Sequence, residues 1–371
     1  MSGQPETKTV HHLILAASPS AKRSALNDPP ANPPTSLPPP REVKTHDSAP
    51  LVSRDGQKAR LLFVGTATCI LEWAETLTGL AFPFTLQLHA GDHVHLGPGV
   101  TGTRVTDPAF PIEELPPIDV VVLSHFHADH FDQLVQERLR KDLPIVTTKH
   151  AEEHLAEASL GFTKVYGMDV WESTLIKVMN DQASSDSGRL DSVPCIRVTA
   201  TPGKHIAGVI GAINDAILHA IPPTNGHILE LGYHKGPEGG DVDKFNVSYR
   251  IYISGDTLMV DDLKEIPQRY PDIDLLLIHL GGTTIPGPHA PLLMVTMDGK
   301  QGIQLVQLIS PKLTIPVHTD DYDVFLLRKV VVEGFQSPRS DFEKEVSKAG
   351  LDSKVLYLER GDVFEFGVRG A

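Results

Sequence analysis

The stretch Ser124-His125-Phe126-His127-Ala128-Asp129-His130 limits what this chain can fold into more than any other, because it directly follows the apolar run Ile118-Asp119-Val120-Val121-Val122-Leu123. A short continuous apolar run of this kind is a strand buried on both faces. In extended backbone, residues two apart project to the same side, so His125 and His127 can share one ion at the end of that strand. The chain is then predicted to turn into a helix over 130–141, with Leu134, Val135 and Leu139 on one side. Asp129 and His130 would sit at its first turn and face a second ion beside the first. Neutral imidazoles and a carboxylate suit zinc, iron or manganese. Four ligand-type side chains packed into residues 125–130 at a strand end favour a metal centre over a solvated His-rich turn.

A pair of ions needs more ligands than this motif supplies, and three stand at other predicted strand ends. His205 closes Thr201-Pro202-Gly203-Lys204-His205 after a strand at 195–200. Asp256 lies in Ser254-Gly255-Asp256-Thr257 after a strand at 247–254, and His318 ends Thr314-Ile315-Pro316-Val317-His318. A lone histidine or a Gly-Asp pair is usually a satisfied residue or a turn. Together, and in this order, the three form a recognisable set. His150 and His154 are spaced like a zincin pair, but Ala151 stands where that motif requires Glu, so they read as a helix face.

The rest of the chain supplies a frame for such a centre. Further strands are predicted at 59–65, 67–73, 143–148, 227–233, 273–280, 313–318 and 354–358, with helices at 150–159 and 298–309. Hairpin-like and helix-separated strands occur together, which points to a mixed sheet system covered by helices. Residues 181–193 and 234–245, rich in Ser, Gly and Asp, read as surface loops. Residues 1–57 are crowded with proline, including Pro38-Pro39-Pro40, and are expected to be a disordered or extended tail. The catalytic domain is expected over 58–371.

Composition narrows the partners. Lys+Arg of 33 against Asp+Glu of 47 gives a formal net charge of −14, and no basic run interrupts it, so no nucleic-acid partner is expected. No stretch approaches the ~18 apolar residues of a membrane span. Cys69 and Cys195 stand far apart in no metal-type spacing, which fits a reduced, cytoplasmic setting. A small molecule is the expected substrate, and the sequence is silent on oligomeric state.

The His125-x-His127-x-Asp129-His130 motif, followed by His205, Asp256 and His318, resembles the metallo-β-lactamase superfamily in its two-metal pattern, over about residues 58–368. The resemblance implies an α/β fold, a four-layer αββα sandwich of two mixed β-sheets. It implies one ion held by His125, His127 and His205, and a second by Asp129, His130 and His318, with Asp256 bridging both. More narrowly, Gly65-Thr66-Ala67-Thr68 and the run Asp274–Gly282 are similar to the branch containing ascorbate-phosphate lactonase and N-acylphosphatidylethanolamine phospholipase D. Relatives carry a third strand ending in Thr-Asp-Pro. Residues 76–89 lack it, and Thr106-Asp107-Pro108 comes later, so the resemblance does not carry to that strand.

Two divalent ions, zinc first with Mn²⁺ or Fe²⁺ as alternatives, would lie ~3.5–4 Å apart and share a hydroxide that attacks a carbonyl or phosphoryl centre. Asp129 would orient that hydroxide and relay its proton. The first expectation is therefore a hydrolase of a small ester or lactone. A phosphodiesterase or phospholipase on the same two-metal site is the alternative, and a mononuclear iron oxygenase or a non-catalytic binding protein is the third reading. His279, before Gly281-Gly282, would contact substrate or serve as a buried structural histidine. Tyr322 would donate to an oxyanion or lie in a surface loop. Residues 89–99 (His-Ala-Gly-Asp-His-Val-His-Leu-Gly-Pro-Gly) read as a Gly-rich loop favoured as a substrate lid, with a mobile loop of neither role or a third metal site as the other readings.

Overall fold

Two β-sheets stack face to face between helices in the computed structural model, which describes residues 10–17, 23–49, 57–73, 80–84, 93–97, 100–180, 193–206, 221–234, 245–282, 284–285, 293–319, 322–326, 330–331 and 339–369. The larger sheet runs in the order Val10–Ala17, Ser173–Asn180, Val193–Thr201, Gly226–His234, Phe245–Ile253, Leu275–His279, Leu313–Val317. Its first pair and its last two pairs are parallel and the middle three antiparallel, so the sheet is mixed. The second sheet runs Val43–Lys44, Val363–Val368, Gln57–Gly65, Thr68–Trp73, Leu80–Phe84. A short parallel sheet, Val165–Met168, Ile145–Thr148, Val121–Val122, continues beside its last strand.

Strand alternation sorts the apolar side chains into three layers. Leu61, Leu71, Leu229, Ile251, Leu277 and Phe364 point between the sheets. Their chain neighbours Leu62, Ile70 and Val363 point the other way, onto Val135, Ala151 and Leu155 of the helices Gln133–Arg138 and Lys149–Ala156. On the far side, Ile228, Tyr252 and Leu276 meet Ile266, Leu305, Val306 and Phe342 of Glu265–Arg269, Gly299–Ile309 and Arg339–Lys348. Three apolar layers between helix, sheet, sheet and helix make the expected αββα sandwich. Each fully buried Leu, Ile or Phe contributes roughly 1.5–3 kcal/mol.

The segment before residue 58 departs from the expected tail. Val10–Ala17 is an edge strand paired in parallel with Ser173–Asn180. Residues 23–49 form almost no ladder, as their prolines dictate, yet they pack on the domain: Ala25, Leu26 and Leu37 are buried in the layer under the helix Gln133–Arg138. The Asn27 amide donates to the Leu139 carbonyl at 2.9 Å, and Arg41 grips Asp362 through Nε and Nη2 at 2.8 and 3.1 Å. Proline removes backbone donors but not apolar side chains, so an extended segment can still be held by burial.

Other differences are local. The helix expected over 130–141 is Gln133–Arg138, because Asp132 accepts from the Val135 N–H and starts it there. The third strand exists as Leu80–Phe84, paired antiparallel with Thr68–Trp73, without the Thr-Asp-Pro ending. No strand forms over 354–358. Val355 makes one isolated bridge to Thr314, and the last strand is Val363–Val368, after a turn at Gly361 with φ +83°. Of the supposed loop 89–99, His93–Gly97 is a strand against Val100–Arg104, while 89–92 and 98–99 lie outside the described residues. Most of the expected loops 181–193 and 234–245 also lies outside them.

Candidate metal centre

The seven residues singled out in the sequence converge at one end of the sandwich. His125 and His127 leave the strand Val121–Val122. Asp129 and His130 occupy the turn before the helix, not its first turn as expected, and the turn is closed by the His130 and Phe131 N–H groups donating to the His127 carbonyl at 3.0 and 2.8 Å. His205 follows Val193–Thr201, Asp256 follows Phe245–Ile253, and His318 follows Leu313–Val317. All three therefore come from strand ends on the same rim of the large sheet.

Their donor atoms form three overlapping groups, each within 4.8 Å: Asp129, His130, Asp256 and His318; His125, His127 and Asp129; and His125, His205 and Asp256. Asp256 Oδ2 lies 3.0 Å from His130 Nε2, 3.6 Å from His318 Nε2 and 3.7 Å from His205 Nε2. Asp129 Oδ2 lies 4.0 and 3.8 Å from the Nε2 atoms of His130 and His318, and its Oδ1 contacts His127 Nδ1.

The rings are oriented by groups that carry no sequence signature. His205 Nδ1 donates to the Val295 carbonyl at 2.6 Å, and His318 Nδ1 to the Leu280 carbonyl at 3.0 Å, which fixes the tautomer and turns each Nε2 lone pair inward. His125 Nδ1 faces Ser124 Oγ at 2.9 Å, with Thr224 Oγ1 at 3.5 Å. His318 holds φ +64°, a costly backbone for a non-glycine residue, and its N–H donates to the Thr66 carbonyl at 2.7 Å. Sequence reading missed these supports because most act through main-chain carbonyls. Ser124, adjacent to the motif, was the one with a visible signal.

The electrostatics suit cations. Burial, reinforced by neighbouring imidazoles, pushes His125 well below its ordinary value, and burial also lowers His205, so both present neutral lone pairs. Burial opposes ionisation of Asp129 and Asp256, yet the surrounding histidines hold both carboxyls well below the usual range. Burial presses His318 down, but Asp256 and Asp129 raise it to about 9. Two buried carboxylates need compensating positive charge. His318 Nε2 and Asp256 Oδ1 are buried without a hydrogen-bond partner, and His125 and His205 present their Nε2 atoms to each other at 3.2 Å. Two nitrogens on one tetrahedral zinc stand about 3.3 Å apart, so the donor set fits a divalent ion.

A model of the β-lactamase superfamily domain matches residues 95–319. The chain belongs to this superfamily. Within it, a UPF0173 metal-dependent hydrolase of Archaeoglobus fulgidus is 26% identical over 67% of this chain and 82% of its own length. A second, from Thermodesulfovibrio yellowstonii, is 20% identical over 75% of this chain and 87% of its own. The isothiocyanate hydrolase from Delia radicum gut bacteria superposes with a TM-score of 0.58 at 18% identity, covering 83% of this chain and all (100%) of that one, a likeness of fold.

Around the superfamily centre, the remaining expectations separate. His279 is 4% exposed and packs its ring 6.2 Å from His130 and 6.0 Å from His318. Burial drives its pKa to about 3. Tyr322 starts the strand Tyr322–Leu326, paired at Arg104, and its side chain lies outside the described residues. His150 and His154 stay apart from the centre, with their Nε2 atoms 3.2 Å from each other.

Proposed function

We propose that this metal-dependent hydrolase holds two divalent ions, zinc in the first instance, and uses them to cleave a small ester or lactone. His125, His127 and His205 would hold one ion, Asp129, His130 and His318 the other, with Asp256 between them. The observation that carries this reading is Asp256, whose Oδ2 lies within 3.7 Å of His205 from one set and of His130 and His318 from the other. When bound, such a pair supplies a water of near-neutral pKa and a Lewis acid for the substrate oxygen.

The protein's own part is to orient and exclude. Asp129 is positioned to accept a proton near the centre, because its carboxylate already faces His127 and His318. His279 is assigned to positioning, since burial of its ring against His130 and His318 leaves it little contact with a substrate. The two cysteines are free and buried, which supports a reducing, cytoplasmic setting. Among the described residues, no helix is long and apolar enough to cross a membrane.

Elemental analysis of the purified protein tests the metal reading. Two ions per chain, largely lost in His127→Ala, are expected; one iron would move the case to oxygen chemistry, and no metal after reconstitution would sink it. A panel of lactones, aryl esters and bis-(p-nitrophenyl) phosphate tests the substrate class. Turnover of the phosphate alone would replace the ester reading by phosphodiester hydrolysis.

A further inference from the structure

A cleft of about 480 Å³ opens where the N-terminal segment meets the last helix and the approach to the last strand. That volume falls in the range of small-molecule sites, roughly 300–1,000 Å³. Three guanidiniums line it, from Arg41, Arg339 and Arg360, against a single carboxylate, Glu359, with Phe63 and Leu358 supplying apolar surface. Such a concentration of arginine is unexpected on a chain of formal charge −14.

Each arginine is held by a partner of its own. Arg41 spends Nε and Nη2 on Asp362, Lys44 also reaches that carboxylate at 2.9 Å, and Glu42 stands 3.9 and 3.8 Å from the two cations. Arg339 donates from Nε to Glu343 at 2.9 Å and from Nη1 to Glu359 at 2.7 Å, with its guanidinium 4.5 Å above the Tyr357 ring. Arg360 donates to the Asp107 carbonyl at 2.9 Å. These bonds fix the forks yet leave Nη1 of Arg41 and Nη2 of Arg339 with no acceptor among the described residues. A fixed guanidinium with an unused N–H edge is the geometry that recognises phosphate or carboxylate oxygens.

Pro316 adds apolar surface from within 95–319, the span of the superfamily match, while the cleft's three arginines, with Phe63 and Leu358, lie outside it. They are contributed by the flanking segments that this chain packs onto the shared domain. Thr319, which follows the ligand His318, lines the cleft from the domain side. We propose that this cleft is a second binding site, separate from the metal centre, for a small molecule that bears a phosphate-like or carboxylate group on an apolar body. The arginine edges take the anion and Phe63 and Leu358 pack against the body.

Isothermal titration of the full-length, metal-loaded protein with phenylphosphonate, whose carbon–phosphorus bond resists hydrolysis, tests this. Benzyl alcohol serves as the neutral comparison. Saturable binding of the phosphonate alone is expected, with Kd raised about tenfold or more by Arg41→Gln and by Arg339→Gln, as loss of one charge-assisted hydrogen bond implies. His127→Ala, at the metal centre, should leave that Kd unchanged. The Arg41 side chain is 52% exposed, so Arg41→Gln still decides the matter should Arg339→Gln fail to fold. No saturable binding, equal binding of benzyl alcohol, or binding lost in His127→Ala but kept in Arg41→Gln would each overturn the proposal.

Discussion

Replacing Gly255 by alanine is expected to damage stability and the metal centre together. Gly255 holds φ +62° and immediately precedes Asp256; a Cβ there meets the Asn225 carbonyl oxygen at 2.6 Å and Ser124 Cβ at 3.4 Å. The left-handed backbone costs a residue with a Cβ roughly 1–2 kcal/mol. Relief of the contact needs about 0.8 Å of movement to reach ordinary van der Waals distance. Asn225 cannot yield easily, because its N–H donates to Ser124 at 3.1 Å and its side chain to the Met168 carbonyl at 3.1 Å. Overpacking of this kind adds about 1–3 kcal/mol. The sum, about 2–5 kcal/mol, lowers the melting temperature by roughly 3–8 °C for a domain of this size. The same displacement carries Asp256 away from His130 and His318, and a misplacement approaching 1 Å costs on the order of 10²-fold in turnover. Calorimetry, metal content after dialysis and ester turnover are the assays. Gly350→Ala is the control: Gly350 has φ +67° with nothing within 4 Å, so only the backbone cost of about 1 kcal/mol applies and metal is retained. Full metal content and an unchanged melting temperature in Gly255→Ala, or a larger loss in Gly350→Ala, would refute the reasoning.

Three further outcomes follow from the interior and the flanks. Burial lowers His227 to about 3, below its unfolded value near 6.5, so the unfolded chain takes up a proton the fold excludes; stability is complete above pH ~6.5 and falls as pH drops, by about 2 kcal/mol at pH 5. Urea unfolding at pH 7.5 and 5.0 should show that drop shrinking in His227→Leu, and an identical drop in both proteins would contradict it. Glu230 is fully buried (0% exposed) between Arg197 and Arg250, with contacts of 2.6 and 2.8 Å, so Glu230→Gln should cost about 3–5 kcal/mol in denaturant melts; a loss under about 1 kcal/mol would deny the triad a structural role. A chain begun at residue 50 loses the burial of Leu26 and Leu37, roughly 3–6 kcal/mol, and an unchanged melting temperature would show the segment to be dispensable.

Much of the centre was legible before any coordinates, and the reason is local. His125, His127, Asp129 and His130 are close in sequence, so the spacing rules of strand and turn suffice to bring them together. His205, Asp256 and His318 were legible only as a set, because each ends an apolar run and strand ends in such a sheet lie on one rim. The exit of Asp129 and His130 before the helix turned on Asp132, an acidic residue that serves as well inside a turn as at a cap.

What the sequence by itself determined is therefore the alternation that separates Leu276 from Leu277 and Leu62 from Leu61, together with the ligand types at the strand ends. Tertiary structure alone decided the rest. The proline-rich flank is held by Leu26, Leu37 and the Arg41–Asp362 pair, partners up to 321 residues apart. The tautomers of His205 and His318 are set by the carbonyls of Val295 and Leu280. Every residue carries such a carbonyl, so only the packing of distant strands tells which one a given imidazole will meet.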